Sequence, residues 1–117
     1  GCNFLPALLD LVTPGMPAFD QETFGPLGAV ITASSDEEAI RLANMSRYGL
    51  GASIWTRDLE KGEKYAREIE SGSVFVNALV RSDVRLPFGG IKKSGFGREL
   101  SSVGLKEFVN IKSISIY

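Results

Sequence analysis

The chain has 117 residues, 44% hydrophobic and 23% charged, with thirteen basic against fourteen acidic side chains. That balance excludes a disordered chain, and without a clustered basic excess it excludes a nucleic-acid partner. The apolar runs are too short to cross a bilayer, so no membrane partner is expected. Histidine is absent, which removes Cys-His and Ser-His pairs and the commonest transition-metal ligand, and no metal is expected. The single cysteine, Cys2, rules out an internal disulfide framework and fits a reducing, cytoplasmic setting. Residue 1 is Gly and no leader-like stretch precedes the first pattern, so a piece of a longer chain is expected.

In chain order, Leu27 to Ala33 is a short apolar run that predicts a buried strand. Ser35, three residues before Glu38, has the spacing of a capping box. Ala39, Leu42 and Ala43 follow at helical spacing, giving a helix over 36 to about 45, which Tyr48-Gly49-Leu50-Gly51 breaks. Ala52 to Thr56 is a second strand, and Asp58 is an N-cap for a helix whose inner face carries Leu59, Gly62, Ala66 and Ile69. Gly72 is placed to close that helix in a left-handed conformation. Ser73 to Asn77 is the next strand. Strand, helix and strand at this spacing form a βαβ crossover, hence an α/β fold with parallel strands and covering helices.

Beyond Asn77 the pattern changes to a glycine-rich loop over 81 to 97, a short helix from about Ser101 to Phe108, and an alternating end, Ile111 to Tyr117. That end reads as an edge or partner-facing strand.

Two features carry chemistry. The loop from Gly89 to Gly97 matches neither a P-loop nor a dinucleotide fingerprint, yet structureless loops of such length tend to be functional. Its bland reading is a surface connection with Lys92, Lys93 and Arg98 solvated. Glu22-Thr23-Phe24-Gly25-Pro26 sets a carboxylate two residues from an aromatic before a turn. A carboxylate can accept two hydrogen bonds from a vicinal diol, and an aromatic face suits a planar heterocycle. The bland reading is a solvated Glu and a core Phe.

Taken together, Glu22-x-Phe24-Gly25-Pro26, Asn44-x-x-x-Tyr48-Gly49-Leu50, Val76-Asn77 and Pro87-Phe88-Gly89-Gly90-x-Lys92-x-Ser94-Gly95-x-Gly97-Arg98-Glu99 resemble the aldehyde dehydrogenase superfamily in order and spacing. Ser82-Asp83-x-Arg85 and Lys92 to Ser101 look most like its bacterial succinate-semialdehyde dehydrogenases. The resemblance implies the C-terminal part of a three-layer αβα catalytic domain over residues 1–110, with an oligomerisation strand at 111–117 that would join copies into a homo-oligomer.

It also implies NAD or NADP as cofactor and an aldehyde substrate. Glu22 would hold the nicotinamide ribose hydroxyls, and Phe24 would pack beside the nicotinamide. Phe88 would line the aldehyde tunnel and Ser82 would face the substrate carboxylate, with Arg81 and Arg85 as nearby candidates for the same carboxylate. Glu99 would support a water relay or partner Arg98. The family's paired acidic residues are here Gln21-Glu22. Cys2 lies too close to Glu22 to match the family nucleophile, so it is read as structural and no catalytic residue is assigned. The nucleophile, the base and the cofactor domain are expected in the remainder of the parent chain, which makes these 117 residues inactive alone. The rival expectations are a stand-alone α/β binding module and an aldehyde dehydrogenase of broader substrate range.

Overall fold

The computed structural model describes all residues, Gly1 to Tyr117. They divide into two compact units, Gly1–Arg47 and Tyr48–Tyr117.

The first unit pairs β1 (Ala7–Leu9) in parallel with β2 (Leu27–Ala29), Ala7 opposite Leu27 and Leu9 opposite Ala29. Two backbone bonds prolong the pairing, from Val30 N–H to the Leu9 carbonyl (2.8 Å) and from Val12 N–H to the Val30 carbonyl (3.1 Å). The crossover carries α1 (Pro17–Asp20), which Pro17 opens at the position where its missing N–H costs nothing. The expected strand over 27 to 33 is thus shorter than its apolar run. Both β1 and α1 went unforeseen, because three or four residues are too few to show a period.

After β2 comes α2 (Asp36–Asn44). The Ser35 hydroxyl accepts the Glu38 N–H at 3.2 Å, as the capping spacing predicts. The return half of the box is displaced by one residue: Glu38 accepts from the N–H and hydroxyl of Ser34 instead of the N–H of Ser35. Those bonds hold the Glu38 carboxyl below its usual pKa, first through the Ser34 hydroxyl and next through the Ser34 N–H. Asp36, Glu37 and Glu38 crowd the first turn, where the helix dipole favours negative charge.

The second unit is built on β4 (Gly51–Ile54), α3 (Leu59–Glu68) and β5 (Ser73–Val76). The strands are parallel, Gly51 opposite Ser73 and Ile54 opposite Val76, so the predicted βαβ unit is present. Asp58 caps α3 by accepting the Lys61 N–H at 3.0 Å. Gly62, buried in the helix, lets α3 approach the sheet, since a Cβ there would lie 2.8 Å from a Val76 methyl.

Gly72 differs from its expected role. The helix ends earlier, at Ile69 with φ −74°, and Gly72 has no positive φ. It is glycine because a Cβ would collide with the backbone carbonyl of Gly89. The glycine-rich loop also holds order the sequence did not reveal: β6 (Ile91–Lys92) pairs antiparallel with β3 (Tyr48–Gly49). Lys92 in β6 meets Glu70 at 2.8 Å.

The last helix, α4 (Ser101–Lys106), stops two residues short of the predicted end. It is entered through two non-glycine residues at positive φ, Leu100 (64°) just before it and Ser101 (55°) at its first position, a strained entry for side-chain-bearing residues. Residues 111–117 are exposed and form no hydrogen-bonded strand within this chain.

Very little apolar surface is buried. Val12, at 4% exposure, is the only buried hydrophobic residue other than glycine, while Phe24, Phe96, Phe108 and Ile116 are each about nine-tenths exposed or more. The accessible surface is 9419 Å². Two separate compact bodies of these sizes would expose only about 7,400 Å² between them. The purified 117-residue chain should therefore bind a hydrophobic dye strongly and self-associate on gel filtration; a dye-silent monomer would contradict the exposure described. Gly72→Ala should destabilise the protein by about 1–3 kcal/mol, on the scale of overpacked sites, and so lower its unfolding midpoint. An unchanged midpoint would rule out the close approach to Gly89.

Candidate functional site

The chain leaves β5 at Asn77, whose φ of 55° is left-handed, a region Asn enters more readily than most residues. Its N–H still joins the ladder, donating to the Ile54 carbonyl at 2.7 Å. Its side chain then does what a continued strand would have done. The amide oxygen accepts the Thr56 N–H and the amide nitrogen donates to the Thr56 carbonyl, each at 2.8 Å. Both backbone groups of Thr56 are thereby satisfied although the neighbouring strand has ended.

The following loop carries Arg81, Ser82, Asp83, Arg85 and Phe88. Asp83 grips Arg85 with both carboxylate oxygens, Oδ1 to Nε at 2.9 Å and Oδ2 to Nη2 at 2.7 Å, and Oδ1 also accepts the Arg85 N–H at 2.9 Å. These side-chain and then backbone bonds from Arg85 hold the Asp83 carboxyl far below the usual carboxylate range, with the nearby Arg81 charge adding the smallest part. The same side-chain bonds raise the Arg85 pKa above its ordinary value. Further along, the Ser101 N–H donates to the Val84 carbonyl at 3.0 Å, and Phe88 and Glu99 exchange two backbone bonds of 2.9 and 2.8 Å.

Phe88 is half-buried at the junction of two grooves. The first, about 480 Å³, has β5 as one wall and Arg81, Asp83, Leu86, Pro87 and Phe88 as the other. The second, about 400 Å³, is lined by Leu50, Phe88, Ser94, Phe96, Arg98 and Glu99 among others. Arg98 Nη1 donates to the carbonyls of Gly90 (2.8 Å) and Gly97 (2.6 Å), and the Ser94 hydroxyl accepts the Gly49 N–H at 3.0 Å. The glycine-rich loop is therefore tied by its own backbone. Arg98 Nη1 turns to those carbonyls and no side-chain bond joins Arg98 to Glu99, one of the two roles expected for that glutamate.

Of the residues singled out in the sequence, the structure brings Arg81 and Phe88 to one groove. Ser82 is exposed and lines neither. Arg85 is committed to Asp83, which weakens it as a free carboxylate receptor. In the first unit, Glu22 and Phe24 stand outside a smaller hollow of about 350 Å³ formed by Phe19 to Gln21 and Met45 to Arg47. Phe24 is 93% exposed, so the core reading of that aromatic does not hold. The sequence reading missed the Asn77 fork and the Asp83 grip. An Asn ending an apolar run and an Asp-x-Arg pair were the available signals. Cys2 is exposed and lines none of the hollows described. No helix is long and apolar enough to cross a membrane.

The aldehyde dehydrogenase family model matches residues 1–114, and the chain belongs to that family of oxidoreductases. Among curated proteins it is 51% identical, over 99% of its length, to a Synechocystis protein named "Probable succinate-semialdehyde dehydrogenase (NADP(+))". It is 48% identical over 97% of its length to a succinate semialdehyde dehydrogenase (NAD(P)+) of Escherichia coli. It covers 26% and 25% of those two proteins, so the chain spans about a quarter of the length of the relatives it matches.

Among solved structures, the succinic semialdehyde dehydrogenase of Streptococcus pyogenes in complex with NADP+ superposes with a TM-score of 0.91 at 45% identity, covering 97% of this chain and 25% of that one. Betaine aldehyde dehydrogenase of Staphylococcus aureus with NAD+ gives 0.88 at 35% identity, covering 92% and 21%. The expected α/β fold with parallel strands and helices is the one observed.

The depressed Asp83 pKa has a definite pH signature. A carboxyl whose folded pKa is lowered stabilises the fold above its unfolded value, and that contribution is lost as pH falls through the folded value. Carboxyl-carbon NMR should therefore find Asp83 still ionised near pH 3.9, roughly where an ordinary aspartate is half protonated. A midpoint at the ordinary value would mean that Arg85 does not hold it.

Proposed function

We propose that these residues are the C-terminal part of the catalytic domain of a cytoplasmic, NAD(P)-dependent aldehyde dehydrogenase that oxidises succinate semialdehyde to succinate. The observation that carries the reading is the 51% identity across 99% of the chain to a protein of that name. The Ser82-Asp83-x-Arg85 segment beside Phe88 adds to it.

Glu22 and Phe24 fit the cofactor implied. Glu22 makes no hydrogen bond within the chain and keeps its acceptor positions for a ribose diol. Phe24, two residues away and 93% exposed, offers a bare ring for the nicotinamide. When bound, the cofactor supplies the hydride acceptor. This chain's own contribution is binding and shape. Phe88 walls the aldehyde path, Ser82 donates a hydroxyl hydrogen bond to the substrate carboxylate, and Arg81 adds positive charge near it. The thiol nucleophile and the water-activating base come from the rest of the enzyme. The large exposed apolar surface argues for such a covering and against a stand-alone binding module. Residues 111–117, alternating and exposed, are assigned to pairing between copies of the enzyme.

Two measurements test the reading. The purified 117-residue chain, mixed with succinate semialdehyde and NAD or NADP, should produce no reduced nicotinamide; steady production would place the nucleophile within it. In the full-length enzyme, Ser82→Ala should raise KM for succinate semialdehyde about tenfold, the size of one hydrogen bond to a charged group. The KM for an uncharged aldehyde should stay unchanged. Equal KM values for wild type and variant with both substrates would remove Ser82 from carboxylate recognition.

A further inference from the structure

The loop that carries Ser82 is fixed at three places, and only one of them lies before Ser82. Behind it, backbone bonds hold Val84 to Ser101 and Phe88 to Glu99. Those bonds are indifferent to side-chain identity. Ahead of it stands Asn77, where the chain turns out of the sheet at φ 55° and the side-chain amide closes onto both backbone groups of Thr56. Ser82 is the fifth residue after this fork.

We infer that Asn77 is a positioning residue for substrate specificity: its amide fork aims the Ser82 segment at the substrate carboxylate while leaving the Phe88 wall untouched. The inference rests on the proposed succinate semialdehyde activity. The physical case is that the fork combines one donor and one acceptor at 2.8 Å each on two separate atoms, which a short amide side chain supplies and a single hydroxyl oxygen does not. Aspartate has the same shape but presents acceptors alone when ionised, so it would keep the Thr56 N–H and repel the Thr56 carbonyl. Glycine accepts the left-handed backbone without strain and removes the fork. Phe88 is anchored through Glu99, and a loosened start of the loop does not free it.

The test uses the full-length enzyme with Asn77→Gly and Asn77→Asp, each checked for folding by near-ultraviolet circular dichroism and gel filtration. Either variant alone suffices if the other fails to fold. Steady-state constants are measured for succinate semialdehyde and for butanal, an uncharged aldehyde of the same chain length. KM for the semialdehyde should rise about tenfold, while kcat for both substrates and KM for butanal stay within about twofold, the pattern of lost binding without lost transition-state stabilisation. Equal losses for both aldehydes would make Asn77 a general structural residue and overturn the inference, as would no change for either. A wild-type enzyme that shows no preference for the semialdehyde over butanal overturns the substrate reading itself, and that failure is visible before any variant is made.

Discussion

With Val12 the only sizeable apolar side chain out of water, the order in this chain depends on main-chain hydrogen bonding and on backbones that come very close together. Three two-stranded pairs, two parallel and one antiparallel, satisfy short stretches of backbone. Capped helices lie between them. Apolar burial is usually the dominant favourable contribution to folding, and little of it is realised within these residues. The near-continuous exposure of Phe4, Leu5, Leu8 and Leu11 in the first unit, and of Phe96, Phe108 and Ile111 to Tyr117 in the second, shows how much covering is needed.

Local hydrogen bonds then decide how the chemistry-bearing loop is presented. Asn77 replaces a missing rung of the ladder, Asp83 neutralises Arg85 two residues away, and Glu99 gives Phe88 a short strand partner. None of these depends on a filled core. A strained pair, Leu100 and Ser101, delivers the N–H that holds Val84. Such strain persists only where surrounding bonds over-determine it, and the bonds of Phe88 and Glu99 immediately before the pair supply that constraint.

Much of the architecture was legible in the sequence because it follows local rules. The caps at Ser35 and Asp58, the helices behind them and the βαβ crossover from Gly51 to Val76 are written in side chains whose preferences act over a few residues. What stayed hidden had no such signal. Strands β1, β3 and β6 are two or three residues long, and their pairing is decided by segments far away in the chain. The role of Gly72 was misread for the same reason. A glycine after a helix suggests a left-handed turn, whereas the actual demand comes from Gly89, seventeen positions on. Phe88 could be named from the motif it sits in and Arg81 only from standing next to Ser82, but that Asp83 takes Arg85 and leaves Arg81 on the groove is a matter of geometry.

The contact between Gly72 and Gly89 also bears on how this sequence can drift. A Cβ added at Gly51 or Gly62 would meet a valine side chain, of Val80 or Val76. Trimming that valine makes room, so a second substitution can compensate the first. A Cβ at Gly72 would meet a peptide carbonyl, and every amino acid brings the same carbonyl. No exchange at position 89 can relieve it. Only a shift of the main chain could, and that would pull on the bond from Gly72 N–H to Gly49 and on the β3–β6 pairing beside it. Position 72 is therefore closed to replacement without rescue, while positions 51 and 62 can change in concert with their neighbours.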